Sequence, residues 1–360
     1  VSGVEPVRGR DRAAALEGGG RHGAATVDLA WNENPWGPSP RALSAARRAL
    51  ALTHRYADAL RPSLRERLAA RLGVDEDSVL LGAGSSELIG LCVQAFCGPL
   101  DEVLAPAFSF ACYRMSCEGQ RRPYREAPAA PGFATDVEAL CAAATPATRV
   151  VFLANPNNPT GLYVSRPELE GLLDRMPAHV VVVVDEAYGD YVGADDYPDA
   201  VRLRGGRERL IALRTFSKIH GLAGMRIGYA VGPPALLAQL EACRLPFSVN
   251  TVAQAAARAA LDDAEHVARS RRVNTAERAR LTEALRAAGL VVMPSQANFV
   301  LAGLARRQGD AHAFTQALLR RGVAVRGMDG YGLPGHVRIT VGTEADNTRL
   351  LSAIHGILGL

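Results

Sequence analysis

"VVVVVDEAYGDY", residues 180–191, sets five valines in an unbroken row and ends them on an acid. Side chains branched at Cβ are stiff and favour extended backbone, so the run reads as a strand. A strand with one wet face would alternate apolar and polar residues; an unbroken run predicts a sheet covered on both faces. "RVVFLA" (residues 149–154), "LIALRT" (residues 210–215), "SVLL", "DEVLAP" and "MRIGYAVG" share the trait. Helical patterns fall between them: an amphipathic stretch at residues 63–72, then residues 85–96 and about 166–175. Strand and helix in alternation predict an α/β unit on a mostly parallel sheet.

Beyond Leu245 an Ala/Arg-rich helical region extends to about Gly289, followed by strands "LVVMP", "ANFVLAG", "VAVRGM" and "VRITVG". This pattern predicts a smaller α+β unit, and 360 residues exceed what one core usually serves. The expected division is an N-terminal arm (1–28), a large unit (29–245) whose first residues (29–45) contribute to the small one, and the small unit itself (246–360). The arm is Gly- and Arg-rich without periodicity up to about Gly23, as expected of a mobile segment or one that orders on a partner.

No apolar run approaches the roughly 20 residues that cross a bilayer, and the N-terminal stretch has no apolar signal region, so no membrane association and a cytoplasmic location are expected. A formal charge of +4, with arginines scattered over helix faces such as "RPSLRERLAARLG", argues against nucleic-acid binding. Six cysteines with two C-x4-C spacings lack histidines at zinc-site spacing and read as buried free thiols.

Ligands of open α/β sheets bind at the carboxyl ends of the strands, and four such ends carry polar residues. "VLLGAGSSELIG" places glycines and Ser85 and Ser86 between a strand and a helix, either an ordinary turn or a phosphate cradle at a helix N-terminus. Glu87 stands where a dinucleotide fingerprint would need its third glycine. "FLANPNNPTG" uses two prolines to fix its asparagines, with Asn158 facing a ligand or simply closing a loop. Asp185, at the end of the valine row, either caps a helix or, as a desolvated carboxylate, requires a cation or donors; Tyr188 follows close by.

The fourth end is "LIALRTFSKIHGLAGMRIGY", with Ser217, Lys218 and Arg226. Lys218 is the only lysine among 41 Lys and Arg residues. Its amine can lose a proton and form a Schiff base with a carbonyl, whereas a guanidinium stays charged. Together the four ends suit a ligand with an aldehyde, a phosphate, a ring nitrogen and a ring hydroxyl. Pyridoxal 5'-phosphate has all four, and an acid beside its ring nitrogen makes the ring an electron sink.

Eight segments in order, "NENPWGPSP", "RYADALRPSLRERLA", "GAGSSELI", "NPNNPTG", "VVDEAY", "RTFSKIHGLAGMRIGY", "PSQANFV" and "VAVRGMDGYGLPGHVRITVGT", resemble the class I/II aminotransferases of pyridoxal-phosphate fold type I, most of all their histidinol-phosphate branch. The resemblance spans residues 29–358 and implies that fold: a mostly parallel large domain with a smaller α+β domain. It implies that Lys218 bonds the cofactor and moves protons, that Asp185 pairs with the ring nitrogen, and that Asn158 and Tyr188 hold the ring oxygen. Phe110 would stack on the ring, and Ser85, Ser86, Ser217 and Arg226 would hold the phosphate with Tyr56 of a neighbouring subunit. Arg338, assisted by Arg326, would bind the substrate's carboxylate or phosphate, and Asn298 would line the substrate side. An amino donor, a 2-oxo acid acceptor and a homodimer follow from the same resemblance. Decarboxylases and oxidases on this fold, threonine-phosphate decarboxylases among them, and non-catalytic regulators that borrow it are the alternatives. Two departures stand out: no "PY" segment precedes "NENP", and Ser86 replaces the aspartate of the "GSDE" form.

Overall fold

The computed structural model describes residues 26–57, 63–304 and 310–360. The expected N-terminal arm lies, for its first 25 residues, outside the described residues. Thirteen strands are described: β1 (Val27–Asp28), β2 (Val79–Gly82), β3 (Glu102–Pro106), β4 (Tyr124–Ala127), β5 (Thr148–Ala154), β6 (Val181–Asp185), β7 (Leu210–Thr215), β8 (Gly228–Val231), β9 (Val291–Val292), β10 (Phe299–Gly303), β11 (Val323–Ala324), β12 (Arg326–Gly327) and β13 (His336–Thr340). Seven form one sheet in the order β2-β8-β7-β6-β5-β3-β4. Only β8 runs against its neighbours.

The valine row explains itself at this level. Val182 and Val184 join one core, with the helices Pro40–Ala49, Leu64–Leu72, Arg166–Arg175 and Thr251–Leu261. Val181 and Val183 join the opposite core, with the helices Ser85–Phe96, Cys112–Gly119 and Pro234–Cys243. Period-two side chains therefore reach a dry layer on either side, as the unbroken run requires.

A second sheet, β12-β13-β10-β9, is antiparallel and packs on Leu281 and Leu285 and on the helices Ala311–Arg320 and Glu344–Leu358. β1 pairs with β11, so the segment that follows Asp28 starts from the side of this smaller sheet. The chain then crosses to the large one: the Pro40–Ala49 helix packs on Thr251–Leu261.

Several sequence expectations need correction in detail. The helical region after Leu245 is two helices, Thr251–Leu261 and Ala264–Ala287, separated at Asp262–Asp263, where the Asp263 side chain accepts from His266 N at 3.2 Å and caps the second. The first of these belongs to the core of the large sheet through Ala253, Ala256, Ala257 and Ala260. "VAVRGM" splits between β11 and β12, which belong to different sheets. The strand expected over "MRIGYAVG" begins only at Gly228, because Arg226 before it has a left-handed φ of 55°. All six cysteines are free; Cys92, Cys97 and Cys117 are buried, while Cys112, Cys141 and Cys243 are partly exposed. Among the described residues no helix is long and apolar enough to cross a membrane.

Candidate active site

The register of β8 gathers the phosphate-binding candidates. Gly228 pairs with Gly82 on one side and with Thr215 on the other. The antiparallel strand therefore begins where β2 and β7 end, and Ser85, Ser217 and Arg226 converge there. The Arg226 guanidinium donates to Ser217 Oγ at 3.4 Å and to Ala223 O at 3.0 Å. Gly84, at φ 81°, caps the Ser85–Phe96 helix without a side chain. A Cβ on Gly84 would stand 2.4 Å from Arg226 Nη2, and one on Gly228 2.7 Å from Ser85 N. At Gly228 only glycine lets the backbones approach so closely, while Gly84 leaves room for the Arg226 guanidinium and holds a positive φ. Glu87, which spoiled the dinucleotide fingerprint, accepts from Ala83 N at 2.6 Å and from Ser248 Oγ at 3.0 Å, closing the turn from within.

Asp185 sits at the end of β6, 3% exposed. Its donors are Tyr113 Oη at 3.1 Å and Ala187 N at 3.1 Å; no cation bonds it among the described residues. Burial, only partly offset by Tyr113, pushes its carboxyl up to about 6. The Ala187 contact satisfies the capping alternative in part, yet it leaves the carboxylate's charge uncompensated.

Lys218, after the end of β7, directs its ammonium to the backbone carbonyls of Trp31 (3.3 Å) and Asn32 (3.2 Å). It lies 5.5 Å from the centroid of the Tyr188 ring. Burial, then the nearby Arg338, push its pKa down to about 8. Arg338, on β13 and 5% exposed, donates to Asn158 Oδ1 at 2.6 Å and to Ala30 O at 2.7 Å. Its antiparallel partner in register is Arg326, whose guanidinium rests 5.1 Å from the Trp31 ring. Neither arginine meets a carboxylate among the described residues. Asn298 donates to the carbonyls of Asn32 and Glu33 at 3.1 and 3.3 Å. Phe110 is half-buried, edge-on to Tyr113 at 5.8 Å.

Lys218, Tyr188, Asn158, Asn298, Arg338 and Arg326 thus form one neighbourhood, and Ser85, Ser217 and Arg226 a second at the adjoining strand ends. Ser86 lies in the first turn of the Ser85–Phe96 helix, beside Cys112. Tyr56 stands apart: it is 71% exposed and stacks on Phe247 at 4.2 Å.

Two contributors were not foreseen. Asn32, 1% exposed with φ 56°, donates to Tyr188 Oη at 3.0 Å while its carbonyl receives Lys218. Its place inside "NENP" was the available signal. Tyr113, three residues after Phe110, holds Asp185; a polar-tipped aromatic in an apolar stretch was the hint.

The donor set fits pyridoxal phosphate. A buried carboxylate without a cation suits a protonated ring nitrogen, a lysine of lowered pKa suits its aldehyde, and the glycine-lined cradle with Arg226 suits its phosphate. Fold and site therefore define a pyridoxal-phosphate-dependent enzyme of fold type I.

Residues 24–354 match the family "Aminotransferase class I and II". A histidinol-phosphate aminotransferase of Anaeromyxobacter sp. (strain Fw109-5) is 46% identical over 92% of this chain and 90% of its own. One of Nitrosococcus oceani is 44% identical over 92% and 89%. Among solved structures, the histidinol-phosphate aminotransferase of Sinorhizobium meliloti in complex with pyridoxal-5'-phosphate aligns with TM-score 0.86 and 26% identity, covering 100% of this chain and 95% of that one. Thermus thermophilus aspartate aminotransferase with maleate aligns with TM-score 0.85 and 27% identity, covering 99% and 100%. The chain belongs to the class I and II aminotransferases. It is a pyridoxal-phosphate-dependent transaminase.

Proposed function

We propose that the chain moves an amino group between an amino-alcohol phosphate of the histidinol-phosphate kind and a 2-oxo acid, in a ping-pong cycle. The observation that carries this reading is the cross-strand pair Arg326 and Arg338, two guanidiniums that meet no carboxylate among the described residues, beside the only lysine. Such a pair suits a doubly charged phosphate or a carboxylate, which the two half-reactions would present in turn. Relatives named histidinol-phosphate aminotransferases support the phosphate.

Pyridoxal phosphate supplies an electron sink for the charge left at the substrate's α-carbon. Lys218 provides the amine for the cofactor's aldehyde and carries the proton at the α-carbon. Asp185 keeps the ring nitrogen protonated. Asn158 and Tyr188 hold the ring hydroxyl, themselves oriented by Arg338 and Asn32. Phe110 covers the ring, Ser85, Ser86, Ser217 and Arg226 hold the phosphate, and Asn298 faces the substrate.

Tyr56 completes the phosphate site of a second copy. Its exposure, with Phe247 stacked on it and Leu245 exposed nearby in sequence, supports a homodimer through this patch. The working division of the chain is an arm (1–28), a large unit (29–245) and a small one (246–360), with the Thr251–Leu261 helix packed on the large unit. A cytoplasmic location without membrane or nucleic-acid partners belongs to the same reading.

The test is a donor screen on purified protein with histidinol phosphate, aromatic amino acids and glutamate, following cofactor absorbance and CO₂ together. Turnover of histidinol phosphate without CO₂ supports the reading. Turnover confined to the amino acids would overturn the proposed donor, and CO₂ release would favour a decarboxylase.

A further inference from the structure

An open surface depression of about 1090 Å³ shares no lining residue with the site around Lys218. Its walls come from the helices Ala264–Ala287 and Glu344–Leu358 and from the loop before Pro40, and include Trp36, Arg269, Arg321, Thr343, Glu344 and Arg349. Three guanidiniums thus face one carboxylate.

On the Ala264–Ala287 helix only Arg280 meets a carboxylate among the described residues. Arg280 is held by Glu277 at 2.7 Å. The side chains of Arg269 and Arg349 make no hydrogen bond or ion pair among the described residues. Arg321 is bonded to neutral carbonyls, Gly356 O at 3.2 Å and Ala317 O at 3.5 Å, which fix the side chain without cancelling its charge. Thr343 caps the C-terminal helix and donates from N and Oγ to Asp346 Oδ2 at 3.0 and 2.7 Å, so the acids of the first turn offset the helix dipole and the positive charge of this wall comes from the arginines alone. Trp36, half-buried, brings the flat apolar surface on which a ring can stack. Guanidiniums recognise phosphate in bidentate fashion, and the cleft is large enough for a ligand of nucleotide size.

The cleft is joined to the catalytic lysine by one short loop. Trp36 N donates to Asn34 Oδ1 at 3.1 Å. The Asn34 side chain in turn donates to Ile219 O, next to Lys218, at 2.8 Å, and to Ser270 Oγ, next to Arg269, at 3.3 Å. At the loop's other end the Trp31 and Asn32 carbonyls receive the Lys218 ammonium.

From this geometry we propose that the cleft is a regulatory site for a ring-bearing phosphate ester of the mononucleotide class, with the ring on Trp36 and the phosphate on Arg269, Arg321 and Arg349. Occupancy acts on Lys218 through residues 31–36. The inference does not depend on the identity of the amino donor.

The experiment uses the full-length, cofactor-loaded protein, freed of excess pyridoxal phosphate by gel filtration, with adenosine 5'-monophosphate, adenosine and inorganic phosphate as probes. Calorimetry and tryptophan emission should show the nucleotide binding with a Kd below about 1 mM, and more tightly than either fragment. The Arg269→Ala/Arg349→Ala variant should bind it at least about tenfold more weakly, with circular dichroism and cofactor absorbance unchanged. Trp36→Phe should abolish the emission change. Saturating nucleotide should also shift the KM for the amino donor severalfold. Absence of binding, binding that ignores the double variant, or phosphate alone binding equally well would overturn the site. Binding with KM unmoved would overturn the regulatory role.

Discussion

The ammonium of Lys218 rests between two carbonyls and close to a guanidinium, and this placement sets how it reacts. A group pushed down to about 8 is half neutral near that pH, and only the neutral amine attacks an aldehyde. The rate at which cofactor-free protein captures pyridoxal phosphate should therefore rise with pH through about 8 and level off above it, as stopped-flow absorbance would show. Lys218→Ala should leave nothing for borohydride to trap and lower turnover by about 10⁴-fold or more. Lys218→Arg should not restore it, since a guanidinium keeps its proton. Asp185 makes the complementary case. Its pKa is raised from 3.8 to about 6 by burial, so the folded chain binds more protons than the unfolded chain between those values. Stability is undiminished below about 4 and falls by about 3 kcal/mol as pH rises through 6. Urea unfolding of cofactor-free protein at pH 7 should accordingly find Asp185→Asn more stable than the parent, and cofactor-loaded samples should reverse the order.

At the scale of elements, close backbone approach is what holds the strand ends in place. Gly221, at φ 67°, would bring a Cβ within 2.2 Å of Gly37 O, which is backbone and has no side chain to swing away. Gly221→Ala should cost about 3 kcal/mol or more in urea unfolding, because it separates the Lys218 turn from the loop bearing Asn32. Gly84→Ala meets only the tip of Arg226, so its effect should fall on cofactor affinity more than on folding. These elements also show what was legible in advance. The valine row announces its two dry faces, and "LIALRT" appears in the structure with its quoted boundaries, since strand identity is local. Asn32 was less legible because its role rests on Thr340, 308 residues away, and on a left-handed backbone that no apolar period reveals. Tyr113 and Asp185 meet across 72 residues for a similar reason. The division of "VAVRGM" between two sheets escaped notice because pairing partners, not propensity, decide it.

For the whole molecule, the exposed pair Tyr56 and Phe247 is where the proposed homodimer would connect assembly to the cofactor. Phe247 precedes Ser248, whose hydroxyl meets Glu87, and Glu87 closes the turn that carries Gly84. Phe247→Glu should move the sedimenting species from dimer to monomer. It should weaken pyridoxal phosphate by about tenfold, as measured by equilibrium dialysis, if the neighbour's Tyr56 reaches the phosphate as proposed.

Having a single lysine gives the chain a chemical address. Any reagent selective for side-chain amines has one target, and that target is the lysine proposed to hold the cofactor. A protease that cuts after lysine can make only one cut, between Lys218 and Ile219. Once borohydride has reduced the imine of an occupied site to a secondary amine, that lysine stays masked through denaturation, so the yield of the two peptides from a reduced sample counts the empty sites, independent of any substrate.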